Sequence, residues 1–291
     1  MGFTEISRRS AAAYYHLGVD AQEKREFSRA SELYRKALKI FLRDDKKREL
    51  AETYHQLGNV AYQQQQWEQA HTYYQQALQI KIEFNDRYAQ ASIYHQLGNL
   101  AYQQRQWEQA HAYYQQALQI KIEFNDRYAQ AATYHQLGMV AQQQRQWEQA
   151  HAYYQQALQI YVEFNDRYAQ AATYHQLGRV AEEQRQWEQA HAYYQQALQI
   201  YIEFNDRHAQ ARTYHQLGMV AEKQRQWEQA RDYYLKALVT FAEFNDQYNL
   251  KIALRSIKRL YQATQDASLI TAVAQLLERD EAQLKQDFEA E

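Results

Sequence analysis

The chain of 291 residues has 33 Lys and Arg against 35 Asp and Glu, which gives a formal net charge of −2. The chain therefore has no excess of positive charge with which to bind a phosphate backbone, and we expect no nucleic-acid partner. Zero cysteines exclude disulfides and thiolate metal sites, and 0 prolines with only 7 glycines predict an all-α protein with long helices.

The amino-acid sequence also shows no signal for membrane insertion or export. No stretch approaches the roughly 18 apolar residues that a membrane span needs, and the N-terminus lacks the apolar core of a signal peptide. The absence of cysteine fits a reducing compartment. We therefore expect a cytoplasmic protein without a membrane partner.

A 40-residue period runs through most of the chain. From residue 51 to residue 250 the copies are nearly identical, and YHQLG, WEQA and EFND each occur five times. A Leu-Gly pair returns six times, with its glycine at Gly18, Gly58, Gly98, Gly138, Gly178 and Gly218. A fixed period of this size indicates a stacked array, in which each unit buries its apolar face against its neighbours.

The first copy, which starts near residue 11, keeps the frame of the repeat but differs at its end. It has RDDKKREL where the later copies have EFNDRYAQ. Such divergence is typical of a terminal repeat that faces solvent.

Each full copy predicts two helices, which we call A and B. In the copy at residues 87–126, Asp86 is the predicted N-cap of an A helix that ends near Gln104, and Trp107 opens a B helix that stops at Asn125. The connections are only a few residues long, which forces the two helices to be antiparallel neighbours.

Small residues at fixed positions predict close contact between these helices. Gly98 and Ala110 stand among the large residues Tyr94, Leu97 and Trp107. A glycine inside a helix costs about 0.5–1 kcal/mol relative to Ala, so its return in six copies implies that another helix lies directly against it.

The residues beyond 250 depart from the repeat. Apolar residues at helical spacing outline further helices, with Asp266 as the predicted N-cap of one and Leu284 and Phe288 on another. We therefore predict a lead segment at residues 1–10, six repeats at 11–250 and a C-terminal helical cap at 251–291.

The recurring frame resembles that of the tetratricopeptide repeats. The matching residues of one copy are Tyr94, Leu97, Gly98, Ala101, Trp107, Ala110, Tyr114 and Ala117. The longer period and the missing proline at the end of the repeat are similar to the long repeats of kinesin light chains, of the Pins/LGN polarity adaptors and of sensor arrays on bacterial STAND signalling ATPases. The resemblance implies a right-handed α-solenoid of six antiparallel helix pairs with C-terminal capping helices.

The A-helix positions that change among copies lie on one face. At about 100° per residue, Glu52, Asn59 and Tyr62 fall within a stripe roughly 100° wide, opposite the unchanging Leu57 and Ala61. The resemblance implies that this face lines a concave groove that binds peptides or partner helices. The alternative is an exposed face on which the residues vary among copies because no contact constrains them. The candidate groove residues are Glu52, His55, Asn59, Tyr62, Ser92, His95, Asn99, Tyr102, His135, Met139, Gln142, His175, Arg179, Glu182, Arg212, His215, Met219 and Glu222.

Five histidines in this stripe do not change and have no evident packing role. We expect no metal there, because ligands must lie about 2.0–2.1 Å from a zinc ion whereas an intervening helix about 10 Å across separates successive A helices. A histidine ladder could contact a ligand, titrate near about pH 6.5, or only bond to neighbouring Gln or Tyr, and the pattern leaves these alternatives open.

The remaining stripe residues form a polarity gradient. Asn59 and Asn99 each offer the donor and the acceptor that an extended peptide backbone needs. Together with Tyr62 and Tyr102 they make the N-terminal half polar and aromatic, whereas Arg, Glu and Lys side chains make the C-terminal half charged. Such a gradient would give an asymmetric ligand a direction.

No catalytic motif is present. The chain has no cysteine nucleophile, HExxH or GxSxG, and Glu68 and Asp86 are explained by helix starts, so we expect neither enzyme activity nor a cofactor. The predicted function is a non-catalytic scaffold or sensor module that binds an extended peptide or partner helix. The alternatives are a self-assembling array that stacks head to tail, and an engineered or recently duplicated array without a natural ligand.

Overall fold

The computed structural model describes residues 2–290, with side chains for residues 10–290. Within this range it contains 15 helices and no strand, which confirms the all-α prediction. α1 already begins at Gly2, and Met1 of the predicted lead segment lies outside the described residues. The helices are α1 (Gly2–Glu23), α2 (Phe27–Arg43), α3 (Lys47–Gln63), α4 (Trp67–Glu83), α5 (Arg87–Gln103), α6 (Trp107–Glu123), α7 (Arg127–Gln143), α8 (Trp147–Glu163), α9 (Arg167–Glu183), α10 (Trp187–Glu203), α11 (Arg207–Lys223), α12 (Trp227–Glu243), α13 (Gln247–Thr264), α14 (Ala267–Leu277) and α15 (Glu281–Glu289).

The helices form two compact units, Met1–Gln146 and Trp147–Glu291. In the first unit α1 pairs with α2, α3 with α4 and α5 with α6, and each pair packs on the helix that follows. In the second unit α8 packs on α9, and the pairs α9 with α10 and α11 with α12 follow. The A helices of the repeats are α1, α3, α5, α7, α9 and α11. Each unit is a stack of consecutive helix pairs, as in an α-solenoid.

A buried tyrosine explains the recurring glycine. A Cβ atom on Gly98 would lie 2.6 Å from ring atoms of Tyr114, and one on Gly218 would lie 2.6 Å from the ring of Tyr234. Both tyrosines are 0% exposed. The ring of the B helix therefore occupies the space that a side chain would take, which confirms the predicted close contact between the helices.

An Asn-Asp turn follows each B helix from α4 onwards, where the common form of the repeat has a proline. Asn85 adopts a left-handed conformation with φ 52°, which asparagine tolerates better than most residues, and the Asp86 amide donates to the Lys81 carbonyl at 2.9 Å. The Asp86 carboxylate then accepts a bond from the Ala89 amide at 3.2 Å, which confirms the predicted N-cap. The same Asn and Asp recur in the following turns and fix where each A helix begins.

Three helices cover the last pair of the second unit. α13 and α14 both pack on α12, and α15 packs on α13 and α14. Ile270, Val273, Leu284 and Phe288 are buried in this cluster, and Asp266 caps α14 as predicted by accepting a bond from the Ser268 amide. The C-terminal helices therefore bury apolar side chains of the last repeat.

Candidate functional site

In the first unit, the predicted groove residues lie on α3, α5 and α7 and are mostly half-buried. Glu52 and Ser92 are exposed. Gln142 is buried, at 8% exposure. The half-buried members are His55, Asn59, Tyr62, His95, Asn99, Tyr102, His135 and Met139. The side chains of the stripe are thus more buried than their variation among copies suggested.

In the second unit, α9 and α11 carry the predicted residues, and the structure brings five of them to one cavity. Arg179 and Arg212 are exposed, whereas Glu182 and Glu222 are half-buried. The cavity measures about 510 Å³, and we call it the unit-2 cavity. Its lining residues are Ala172, His175, Gln176, Arg179, Tyr201, Arg212, His215, Gln216, Met219, Phe241, Asn249 and Ile252.

Sequence reasoning missed the residues that close this cavity from other helices. Tyr201 and Phe241 come from the B helices, and Asn249 comes from α13. A signal was available for the first two, because their position in the repeat changes from Lys81 and Lys121 to aromatic residues in the later copies. Asn249 stands at the very end of the predicted repeat array and outside the variable stripe, so the comparison of the A helices did not single it out.

The histidines have a packing role, so the expectation that they have none is wrong. His95 lies with its ring centroid 5.4 Å from that of Tyr114 in an edge arrangement, and His175 lies 5.3 Å from Tyr194 in the same way. His55 and His215 make similar contacts with the tyrosines of their own helix pairs. Aromatic edge contacts of this kind stabilise the packing of the helix pair around the buried tyrosine.

Burial also keeps the histidines neutral. Desolvation lowers the pKa of His95, His135 and His215 to about 4 and that of His175 to about 3, so titration near pH 6.5 is wrong for these side chains. The His215 Nε2 atom lies 3.0 Å from the Ser256 hydroxyl. In contrast, the buried Nε2 of His55 and the buried Nδ1 atoms of His95 and His175 have no hydrogen-bond partner.

The two asparagines already use both ends of their amides within the chain. The Tyr74 hydroxyl donates to Asn59 Oδ1 at 2.9 Å, and Asn59 Nδ2 donates to Gln56 at 3.2 Å. Asn99 repeats the arrangement with Tyr114 at 2.7 Å and Gln96 at 3.0 Å. Each amide therefore makes one donated and one accepted bond within the fold, which leaves one N–H and one oxygen lone pair for any other partner.

Other repeats satisfy the same tyrosine from a different A-helix position. The Tyr194 hydroxyl donates to Glu182 at 2.8 Å, and the Tyr234 hydroxyl donates to Glu222 at 2.6 Å. In the first repeat the acceptor for Tyr34 is Gln22, at 2.9 Å. A buried hydroxyl without a partner costs about 1–3 kcal/mol. Part of the variation in the stripe is therefore explained by the fold, because a repeat that lacks one acceptor for the buried tyrosine carries another.

Two buried lysines differ in their partners. Lys81 bonds to Glu52 and, at 3.1 Å, to Asp86, beside a cavity of about 510 Å³ in the first unit. The Lys121 ammonium instead donates to the Thr133 hydroxyl at 2.7 Å, and desolvation lowers its pKa to about 8. No cluster of three side chains suited to a metal ion occurs among the described residues.

The sequence profile of the tetratricopeptide repeat family matches residues 9–83, 49–123 and 129–203, and a second tetratricopeptide profile matches residues 210–242. The chain therefore belongs to the tetratricopeptide repeat family. This result confirms the resemblance drawn from the sequence, and members of this family are in general non-catalytic scaffolds for protein interactions. No curated protein matches the chain at a significant level.

Solved structures with low sequence identity share the fold. A signal transduction ATPase with numerous domains and a tetratricopeptide repeat sensor, from Pyrococcus horikoshii, aligns with a TM-score of 0.80 at 16% identity, over 94% of this chain and 43% of that one. BtubC from P. vanneervenii aligns with a TM-score of 0.65 at 22% identity, over 82% and 92%. The Rap conjugation gene regulator of plasmid pLS20 aligns with a TM-score of 0.58 at 20% identity, over 95% and 73%. None of the helices in the described range is long and apolar enough to cross a membrane.

Proposed function

We propose that this chain is a non-catalytic scaffold or sensor module that binds an extended peptide or a partner helix on the face formed by its A helices. The observation that carries the proposal is the unit-2 cavity. It gathers Arg179, Arg212 and Met219, which stand at positions that the repeats vary, together with the unchanging His175 and His215, from two successive A helices. Variation that faces a cavity is where one ligand would be distinguished from another.

The chemistry of this face suits a peptide. Both arginines are exposed donors, and the His175 Nδ1 atom is a buried polar atom without a partner. Aromatic and aliphatic side chains, namely Tyr201, Phe241 and Met219, supply apolar surface beside them. Pockets with apolar walls and a few convergent polar groups are typical binding sites. A relative of the same fold, the Rap regulator of plasmid pLS20, was solved in complex with the Phr* peptide.

The test is a selection of random displayed peptides against the full chain, followed by blocking of the cavity. Ala172→Trp places a large ring among the lining residues. We expect the enriched peptides to bind this variant at least about tenfold more weakly, since the ring excludes them from the cavity. Ala192→Trp, on the exposed surface of the B helix in the same repeat, is the matched control and is expected to bind normally. Peptides that bind both variants equally, or a selection without enrichment, would refute the proposal.

The self-assembly alternative from the sequence predicts a different result. Head-to-tail stacking adds copies without limit, so the mean mass in light scattering would rise steadily with protein concentration. A constant mass across the series is expected for a binding module.

A further inference from the structure

The lining of the unit-2 cavity carries two positive charges and no negative one. Arg179 and Arg212 line it together, and its lining contains no Asp or Glu. The cavity of the first unit is different, because Arg48 and Lys81 face it together with the carboxylates of Glu49, Glu52 and Asp86. The same fold therefore holds one cavity lined by charges of both signs and one cavity whose charged lining residues are both arginines.

Carboxylates near the two arginines are already engaged. Glu182 accepts the hydroxyl bond of Tyr194, and Asp206 caps α11 by accepting from the Ala209 amide. Arg179 bonds only to the amide oxygen of Gln176, at 3.4 Å, and neither arginine takes part in an ion pair within the described part of the second unit. Glu182 and Asp206 attract the two arginines electrostatically from outside the lining. An anion inside the cavity would add the direct, charge-assisted bonds that neither carboxylate makes with them.

Packing does not demand arginine at either position. The residues equivalent to Arg179 in other full repeats are Asn59, Asn99, Met139 and Met219. Those equivalent to Arg212 are Glu52, Ser92, Ala132 and Ala172. Both arginines are exposed, so neither is held by the core. Their joint presence beside the unpartnered His175 Nδ1 is the feature that a ligand would explain.

From these observations we infer that the unit-2 cavity binds the carboxylate side chains of an acidic peptide segment, with Arg179 and Arg212 as the donors. Guanidinium groups bind carboxylates through paired, charge-assisted hydrogen bonds. Neutral Asn249 and the neutral imidazoles of His175 and His215 complete the polar wall. The inference rests on the proposed peptide binding and names the chemistry of the ligand.

The experiment measures fluorescence anisotropy of labelled hexaglutamate and hexaglutamine peptides with the full chain at about 0.15 M salt. The test variant, Arg179→Met with Arg212→Ala, introduces residues that other repeats carry at the same positions. The control, Arg185→Gln with Arg225→Gln, removes the same charge from exposed turns, where Gln65 is the equivalent residue with the same left-handed backbone.

We expect the chain to prefer hexaglutamate, with a Kd at least about tenfold higher in the test variant and within about twofold of the parent in the control. Equal losses in both variants would show a non-specific charge effect and overturn the inference. It is also overturned if hexaglutamine binds as well as hexaglutamate, or if inorganic phosphate binds and hexaglutamate does not. Selected peptides that lose binding to Ala172→Trp but bind the test variant normally would refute the inference and would still support the proposed function. Failure of every peptide to bind would reject both.

Discussion

At the scale of single residues, the variable side chains of the A helices serve the fold as well as any ligand. The buried hydroxyl of Tyr114 needs an acceptor, and Asn99 provides it at 2.7 Å. Where a repeat lacks that asparagine, an acceptor stands three residues later, as Glu222 does for Tyr234 at 2.6 Å. Two positions of the repeat are therefore coupled, because the fold requires one acceptor from the pair.

A double-mutant cycle tests this coupling in the third repeat. Asn99→Met is expected to cost about 1–3 kcal/mol of unfolding free energy, because it leaves the Tyr114 hydroxyl without its acceptor. In a Tyr102→Gln background the same change is expected to cost about 1 kcal/mol less, since Gln at this position can accept the bond as Gln22 does for Tyr34. Urea unfolding of the four proteins measures both costs. Strictly additive costs would contradict the coupling.

At the scale of helices, most boundaries could be predicted and most site contacts could not. α5 and α6 begin at Arg87 and Trp107 as expected and end within two residues of the predicted limits. The Asp86 cap marks the start of α5 locally, and the recurring apolar pattern from Trp107 marks α6. The bond between Tyr114 and Asn99 joins two helices across 15 residues. Sequence periodicity gives the face of each residue but not its partner. Neither the bonds of Asn99 within the fold nor the contribution of α13 to the unit-2 cavity could therefore be predicted.

The contact between A and B helices can be tested with a single methyl group. Gly98→Ala improves helix propensity by about 0.5–1 kcal/mol, but its Cβ would lie 2.6 Å from the enclosed ring of Tyr114. Overpacking typically costs about 1–3 kcal/mol, so a net loss of stability is expected in urea unfolding. Gln103→Ala, at an exposed position of the same helix, should change stability by no more than about 0.5 kcal/mol. A Gly98→Ala protein as stable as the parent would show that the ring yields easily.

At the scale of the whole molecule, the buried histidines give both units the same response to acid. Burial lowers the pKa of His95 and His135 in the first unit and of His175 and His215 in the second. The unfolded chain binds protons below about pH 6.5, whereas the folded chain resists them down to about pH 4. The stability that these histidines contribute is therefore complete above pH 6.5 and is lost as the pH falls toward 4.

Thermal melting at pH 7, 6 and 5 checks this sign. We expect the midpoint to fall with pH, by about 2–4 °C for each kcal/mol lost. His175→Gln removes one of the responsible groups and is expected to flatten the decline. His71→Gln, at an exposed position on a B helix, is the comparison and should leave the slope unchanged. A midpoint that stays constant or rises toward pH 5 would contradict the assignment of the histidines as buried neutral groups.

The placement of hydrogen-bond acceptors also bears on how such a chain can gain and lose copies. For Tyr34, Tyr74, Tyr114, Tyr194 and Tyr234, the hydrogen-bond acceptor comes from the tyrosine's own helix pair. Bonds between successive repeats instead join residues that recur in copy after copy: Gln144 with Glu108, Gln184 with Glu148 and Gln224 with Glu188. Recombination that inserts or deletes one such 40-residue repeat therefore keeps these tyrosine hydroxyls paired and brings matching repeats together on both sides. Copy number can change first, and outward residues such as Arg179 can diverge afterwards.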